Sequence, residues 1–155
     1  FLLISSLITM FLAGISAFFE YDLKKIIALS TLSQLGVMMF SLSIGLKYLA
    51  FFHLIIHAFF KALMFLSGGS LMYGYFGNQD IRFMGSMSSL GFYVNGSLIF
   101  SMFCLGAFPF FASFFSKHLI LEFFMFKGYS MFLLFIMYMA NSLTLFYSIR
   151  LLYFL

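Results

Sequence analysis

A chain of 155 residues that is 65% hydrophobic and 8% charged, with a mean hydropathy of +1.15, holds too few polar side chains to cover a soluble domain. Soluble folds of this size carry roughly 25% charged residues, so the outer surface here must be lipid. The single cysteine, Cys104, excludes a disulfide framework and any iron–sulfur cluster held by several thiolates, and the eight Lys and Arg behind the net charge of +4 are scattered singly, which excludes nucleic acid as a partner.

A crossing helix needs about 20 mostly apolar residues for a hydrocarbon core roughly 30 Å thick. Residues 1–19 carry no charge and predict a first span, closed by the polar knot Glu20-Tyr21-Asp22-Leu23-Lys24-Lys25. Residues 26–46 make a second charge-free span, ended by Gly45 and Lys47, and 48–73 a third with Lys61 near its middle. A loop over 74–88 follows, marked by Gly74, Gly77, Asn78, Asp80, Arg82 and Gly85. Residues 83–116 are then free of charge for 34 positions, too long for one straight span and too short for two. Pro109, the only proline, sits inside that stretch. Proline removes a backbone donor and clashes with the carbonyl four residues back, at about 3 kcal/mol in a helix interior. The expectation is one discontinuous span over about 92–126, helical to about residue 108, unwound, and helical again from about 116. A last span covers 128–155. The predicted fold is an all-α polytopic bundle of about five spans in one unit, 1–155.

Lys24, Lys25 and Arg82 fall on one membrane face and Lys47 and Lys127 on the other, which tilts the positive-inside rule only slightly. Lys127 and Arg150 read as interface anchors. The first and last residues lie inside apolar runs, with no initiator Met, basic n-region or cleavage site, so the chain reads as an internal piece of a longer protein rather than one led by a signal peptide. Abundant Phe and Met (27 and 12) with no Trp and one Pro point to a T-rich, C-poor coding strand, a bias frequent in organelle genomes.

His53, His57 and Lys61 are spaced i, i+4, i+8. Each step drifts about 40°, so the three share one helix face and climb roughly 12 Å. An ammonium at bilayer depth costs about 2.5–3.5 kcal/mol even on the gentler insertion scale, and Lys61 is too far from either helix end to snorkel out. Proton transfer is the favoured use of the row; the bland use is a hydrogen-bonded His pair in a helix bundle. A metal or haem site would also use His-x-x-x-His, yet no Glu follows the first His and no further ligand cluster is present. Lys117 follows the Pro109 break in Phe114-Phe115-Ser116-Lys117, at the expected start of the second half-helix. Broken helices offer free backbone groups to a polar cavity where ions or protons are handled; alternatively the break is a surface loop. Ser30, Thr31, Ser33 and Gln34 form a polar patch that either bridges to the lysines or glues helices together. No nucleotide loop, redox-cofactor motif or nucleophile–base pair is visible.

The run Asp22-Leu23-Lys24-Lys25-Ile26-Ile27-Ala28-Leu29-Ser30-Thr31-Leu32-Ser33-Gln34-Leu35-Gly36 resembles a signature of the subunit 5 family of respiratory complex I, the proton-pumping NADH:ubiquinone oxidoreductase. His53-Leu54-Ile55-Ile56-His57-Ala58-Phe59-Phe60-Lys61-Ala62-Leu63 is similar to that family's lysine-bearing helix. Gln79-Asp80-Ile81-Arg82 with Met84-Gly85 resembles its following loop, and Pro109 with Phe114-Phe115-Ser116-Lys117 its broken helix. The order and spacing agree over nearly the whole chain. The resemblance places the chain in the antiporter-like family, which also includes multisubunit sodium/proton antiporters.

The resemblance implies that Lys61 is a central proton carrier, that His53 and His57 lie along the same hydrated axis, and that Lys117 is the terminal lysine. It implies a multi-pass protein of the mitochondrial inner membrane whose partners are other complex I membrane subunits, lipid and protons. No cofactor is expected on this chain; NADH, flavin, iron–sulfur clusters and ubiquinone belong to other subunits. Two departures stand out. The family's usual aspartate after the terminal lysine is His118 here, which leaves Glu122 as the expected substitute counter-charge. The family's first half-channel, with its glutamate–lysine pair, is absent, so this piece alone should not pump. The alternatives are a sodium/proton antiporter subunit and a membrane scaffold without transport.

Overall fold

The computed structural model describes residues 1–84 and 91–154. Six α-helices are found among the described residues: α1 (Leu2–Phe19), α2 (Leu23–Ile44), α3 (Lys47–Gly74), α4 (Phe92–Leu105), α5 (Ala112–Phe126) and α6 (Met131–Phe154), with a 3-10 turn at Ile81–Phe83. By length and composition α1, α2, α3 and α6 can each cross a membrane; α4 is a shorter apolar helix. With α5 it makes the fifth, discontinuous span of the expected all-α bundle. Residues 85–88 of the expected loop and Leu155 of the last span lie outside the described residues.

Helix α2 starts at Leu23, three residues before the expected 26, so Lys24 and Lys25 belong to its first turn. It stops where glycine allows a left-handed residue: Gly45 has φ 94°, its N–H donates to Leu42 O at 2.9 Å and the Leu46 N–H to Ser41 O at 3.0 Å. The N-terminal turn of α2 is tied to the loop after α3. Leu23 N–H donates to Gln79 O at 3.0 Å and Ile81 N–H to Tyr21 O at 3.1 Å. Arg82 and Arg150 lie 3.8 and 4.6 Å from the Tyr21 ring centre, which gathers Lys24, Lys25, Arg82 and Arg150 at one end of the bundle. At the opposite end Lys127 Nζ donates to Ile44 O at 2.5 Å, near Lys47.

The break is earlier and shorter than the sequence suggests. Helix α4 ends at Leu105 rather than near 108, and α5 begins at Ala112 rather than near 116. Pro109 explains the first bound, because it lacks the N–H that would bond the Leu105 carbonyl. The unwound residues include two with left-handed φ that are not glycine, Ala107 (55°) and Phe110 (71°). Phe108 and Phe111 pack back on Phe103, with ring centres 4.9 and 6.0 Å away. Lys117 therefore sits in the second turn of α5 and not at its start.

Helix α3 packs against α2, α4 and α5, and α6 against α1 and α4. Two apolar cores form at different depths. One joins Leu23, Ile26 and Ile27 of α2 to Met64 and Leu71 of α3, Leu98, Met102 and Leu105 of α4, and Leu151 of α6. The other joins Val37, Phe40 and Ile44 of α2 to Leu7 and Met10 of α1, Ile120 and Phe124 of α5, and Met137 and Ala140 of α6. Along α2 the residues between them are Ser30, Ser33 and Gln34; along α6 they are Thr144, Tyr147 and Ser148, all buried. The fold thus encloses a polar layer between two apolar seals.

Candidate functional site

The polar layer contains His53, His57, Lys61 and Lys117, whereas His118 and Arg150, also within the expected spans, lie outside it. His53, His57 and Lys61 are 1%, 8% and 5% exposed, and Lys117 is 6% exposed. Lys61 lies near the midpoint of α3, whose long apolar flanks place it at membrane depth. Its Nζ donates to Ile27 O at 3.0 Å and to Ser30 Oγ. Ser30 in turn donates to Ile27 O at 2.8 Å, so one turn of α2 supplies the whole cradle.

His53 links three helices. Its Nδ1 lies 2.8 Å from Ser116 Oγ on α5 and its Nε2 3.2 Å from Gln34 Oε1 on α2. His57, one turn along α3, has its ring centre 6.4 Å from that of His53, and its Nε2 is buried without a hydrogen-bond partner among the described residues. Lys117 follows Ser116 directly. Its Nζ donates to Leu105 O at 3.2 Å and to Thr144 Oγ1 at 3.3 Å. The carbonyl is the one that Pro109 leaves unserved, so the break in the helix creates the acceptor that holds the lysine.

Both lysines are held by neutral oxygens alone. Among the described residues the ion pairs are Asp22–Lys25 and His118–Glu122, and neither reaches the layer. Among the described residues Glu122 makes no ion pair with Lys117. It stands five residues on, roughly 140° around the helix, with its carboxylate 4.0 Å from His118 Nδ1 and both side chains about half exposed or more (47% and 61%). Outside the spans, the Asp22 carboxyl is held below its usual range by its hydrogen bond to Lys25.

The polar patch on α2 divides. Ser30 and Gln34 touch the site, whereas Thr31 turns outward and donates to Ala28 O at 2.5 Å. Four contributors escaped the sequence reading: Ser116, Thr144, Asn141 and Tyr147. Asn141 and Thr144 carried a faint signal, since with Ser148 they are spaced three and four apart on a mostly apolar helix. Asn141, Thr144 and Tyr138 line a cavity of about 250 Å³ beside Lys117 that also reaches His118. Among the described residues no group of three or more His, Cys, Asp or Glu is placed to hold a metal.

Chemically, the arrangement is a row of titratable groups. Lys61, His57 and His53 stand one turn apart on α3, and residues one turn apart on a helix face are neighbours. Ser116 Oγ links His53 to α5, where the next residue is Lys117, and Lys117 in turn is bonded to Thr144 on α6.

Comparison with known proteins adds a lineage. Over residues 1–144 the chain matches the family described as NADH:quinone oxidoreductase/Mrp antiporter, transmembrane. It is 49% identical over 154 residues to NADH-ubiquinone oxidoreductase chain 5 of Anopheles gambiae, covering 99% of this chain and 27% of that protein. Against chain 5 of Locusta migratoria the identity is 50% over 149 residues, covering 95% and 26%. Against that of Lumbricus terrestris it is 41% over 150 residues, covering 97% and 26%. The chain spans about a quarter of the length of these relatives.

Proposed function

Because the chain belongs to the NADH:quinone oxidoreductase/Mrp antiporter transmembrane family, we propose that it is part of a proton-translocating membrane subunit of NADH:ubiquinone oxidoreductase in the mitochondrial inner membrane. The observation that carries this reading is the pair Lys61 and Lys117, both buried, both without a carboxylate partner among the described residues, with the buried His57 and His53 on the helix of Lys61 and His53 bonded to Ser116 beside Lys117 in the chain. Hydrocarbon tolerates ammonium groups poorly, so residues kept there mark ion or proton pathways. The name shared by the relatives favours this reading over that of a sodium/proton antiporter subunit.

Lys61 and Lys117 carry protons in this scheme, and the histidines pass them between the two. A lysine bound only to hydroxyl and carbonyl oxygens loses its proton without leaving an unpaired carboxylate behind. The unpartnered Nε2 of His57 is the next base along α3. His53 Nδ1 and the Ser116 hydroxyl share a hydrogen bond that leads to the residue beside Lys117. The apolar cores above and below keep the layer from short-circuiting to either face. NADH, flavin, iron–sulfur clusters and ubiquinone are assigned to other subunits, whose redox steps shift the electrostatics of the lysine row. Glu122, paired with His118 at the surface, takes no part in holding Lys117 in this scheme. The partners are the remaining membrane subunits and lipid.

The test is Lys61→Ala in the full complex. Coupled proton transport is expected to be abolished or sharply reduced while assembly is largely kept. Normal pumping by that variant refutes the role.

A further inference from the structure

Gln34 and Tyr147 meet in the middle of the polar layer. Gln34 presents Oε1 to His53 Nε2 at 3.2 Å, while its amide nitrogen has no partner among the described residues. The Tyr147 hydroxyl, 2% exposed and likewise without a hydrogen bond, faces the side chains of Gln34 and Ser33. Ser33 donates to Ser30 O at 2.9 Å, and Ser30 is the residue that holds Lys61. We infer that Gln34 and Tyr147 are positioning residues that fix which nitrogen of His53 carries the proton, and so aim the base of His53 at Ser116. This rests on the proposed function.

A carboxamide oxygen only accepts hydrogen bonds and a carboxamide nitrogen only donates them. With Oε1 toward the ring, the His53 proton must reside on Nε2, and the lone pair of the neutral ring is on Nδ1. That lone pair points at Ser116 Oγ, 2.8 Å away. In the neutral ring the free base is then Nδ1, which faces Ser116 on the Lys117 side. If the amide turned over, its NH2 would face the ring, the proton would move to Nδ1, and the base would point back at Gln34, a dead end.

Tyr147 decides between the two. Among the described residues neither the Gln34 NH2 nor the Tyr147 hydroxyl has a hydrogen-bond partner; in the inferred arrangement the two close up, the facing phenolic oxygen accepting from that NH2, which leaves its O–H to donate to Ser33 Oγ. In that arrangement every donor in the string His53, Gln34, Tyr147, Ser33 would run one way, toward the Lys61 cradle. Turning the amide would require each of them to reverse.

The experiment uses the full complex in phosphatidylcholine vesicles, with NADH-driven proton transport and the infrared ring bands of imidazole as readouts. Tyr147→Phe keeps the ring and loses the hydroxyl; Gln34→Leu removes both amide groups. Both are expected to lower protons moved per NADH several-fold and to change the His53 signature from Nε2–H to a mixture of tautomers. Gln34→Glu keeps an acceptor for Nε2–H and should keep that signature, which a merely packing role would not discriminate. Tautomer bands unchanged in Tyr147→Phe and Gln34→Leu, or transport at the wild-type level in both, overturns the inference. Lys61→Ala run alongside separates the two failures: normal transport there sinks the proposed function itself, whereas its loss beside unaffected Gln34 and Tyr147 variants sinks only this inference.

Discussion

Lys117 Nζ donates to the carbonyl oxygen of Leu105, 3.2 Å away across the break between α4 and α5. In an unbroken helix that carbonyl would accept from the N–H of residue 109, but residue 109 is proline. One covalent fact, a missing hydrogen on a backbone nitrogen, thus ends a helix and leaves an acceptor for a buried cation.

Pro109→Ala should therefore damage the site without touching a lysine. The restored N–H competes for Leu105 O, and the left-handed residues Ala107 and Phe110 lose the constraint that places them. Coupled proton transport by the full complex is expected to fall while Lys117 remains in place. Wild-type transport in this variant would mean that the break is decorative.

Lys117→Arg separates charge from proton exchange. Arginine stays protonated in proteins, whereas a buried lysine gives its proton up far more readily. If Lys117 only balances charge, arginine should serve, since Leu105 O and Thr144 Oγ1 are acceptors for either cation. If Lys117 carries protons, the variant assembles and coupled transport is lost. Proton uptake per NADH, measured beside the assembly level, tells these apart.

Close approach of α1 and α2 is tested at Gly36. A Cβ built there would lie 2.9 Å from Met10 Cβ and 3.1 Å from Met10 Cα, so the helices must part to admit it. Overpacking of this kind costs about 1–3 kcal/mol, and Gly36→Ala is expected to lower the thermal stability of the assembled subunit. Gly69→Ala is the control. Nothing lies within 4 Å of its Cβ position, and alanine favours a helix interior over glycine by about 1 kcal/mol. Equal melting of the two variants would refute the packing argument.

How much of this could be read from the sequence follows from what marks it. Long charge-free runs show spans directly, and a lysine amid such a run shows itself, so α1, α2, α3 and Lys61 were legible. The bounds of the break were not. Residues 100–115 are nearly all apolar or small, so no periodicity separates helix from loop, and the left-handed Ala107 and Phe110 have no residue-type signature. Ser116 and Tyr147 were missed for a related reason: serine and tyrosine are common on lipid-facing helices, and only the packing of α5 and α6 turns these two inward. Glu122 lies one turn beyond His118 and pairs with it, a neighbour that spacing alone could have given.

The undecided polar patch on α2 gives the last prediction, because two neighbouring hydroxyls make its halves separable. Ser30 is fully buried and bonds Lys61, while Thr31 bonds only its own helix. Ser30→Ala leaves Lys61 with the Ile27 carbonyl alone; a hydrogen bond to a charged group is worth about 1.5–3 kcal/mol. Such a loss shifts how firmly the proton is held on Lys61, so transport should slow measurably while alanine, a better helix former than serine, keeps α2 intact. Thr31→Ala should change neither transport nor assembly. If the two variants behave alike, the patch glues helices and plays no part in proton passage; if only Ser30→Ala slows transport, the hydroxyl belongs to the site because it touches the lysine.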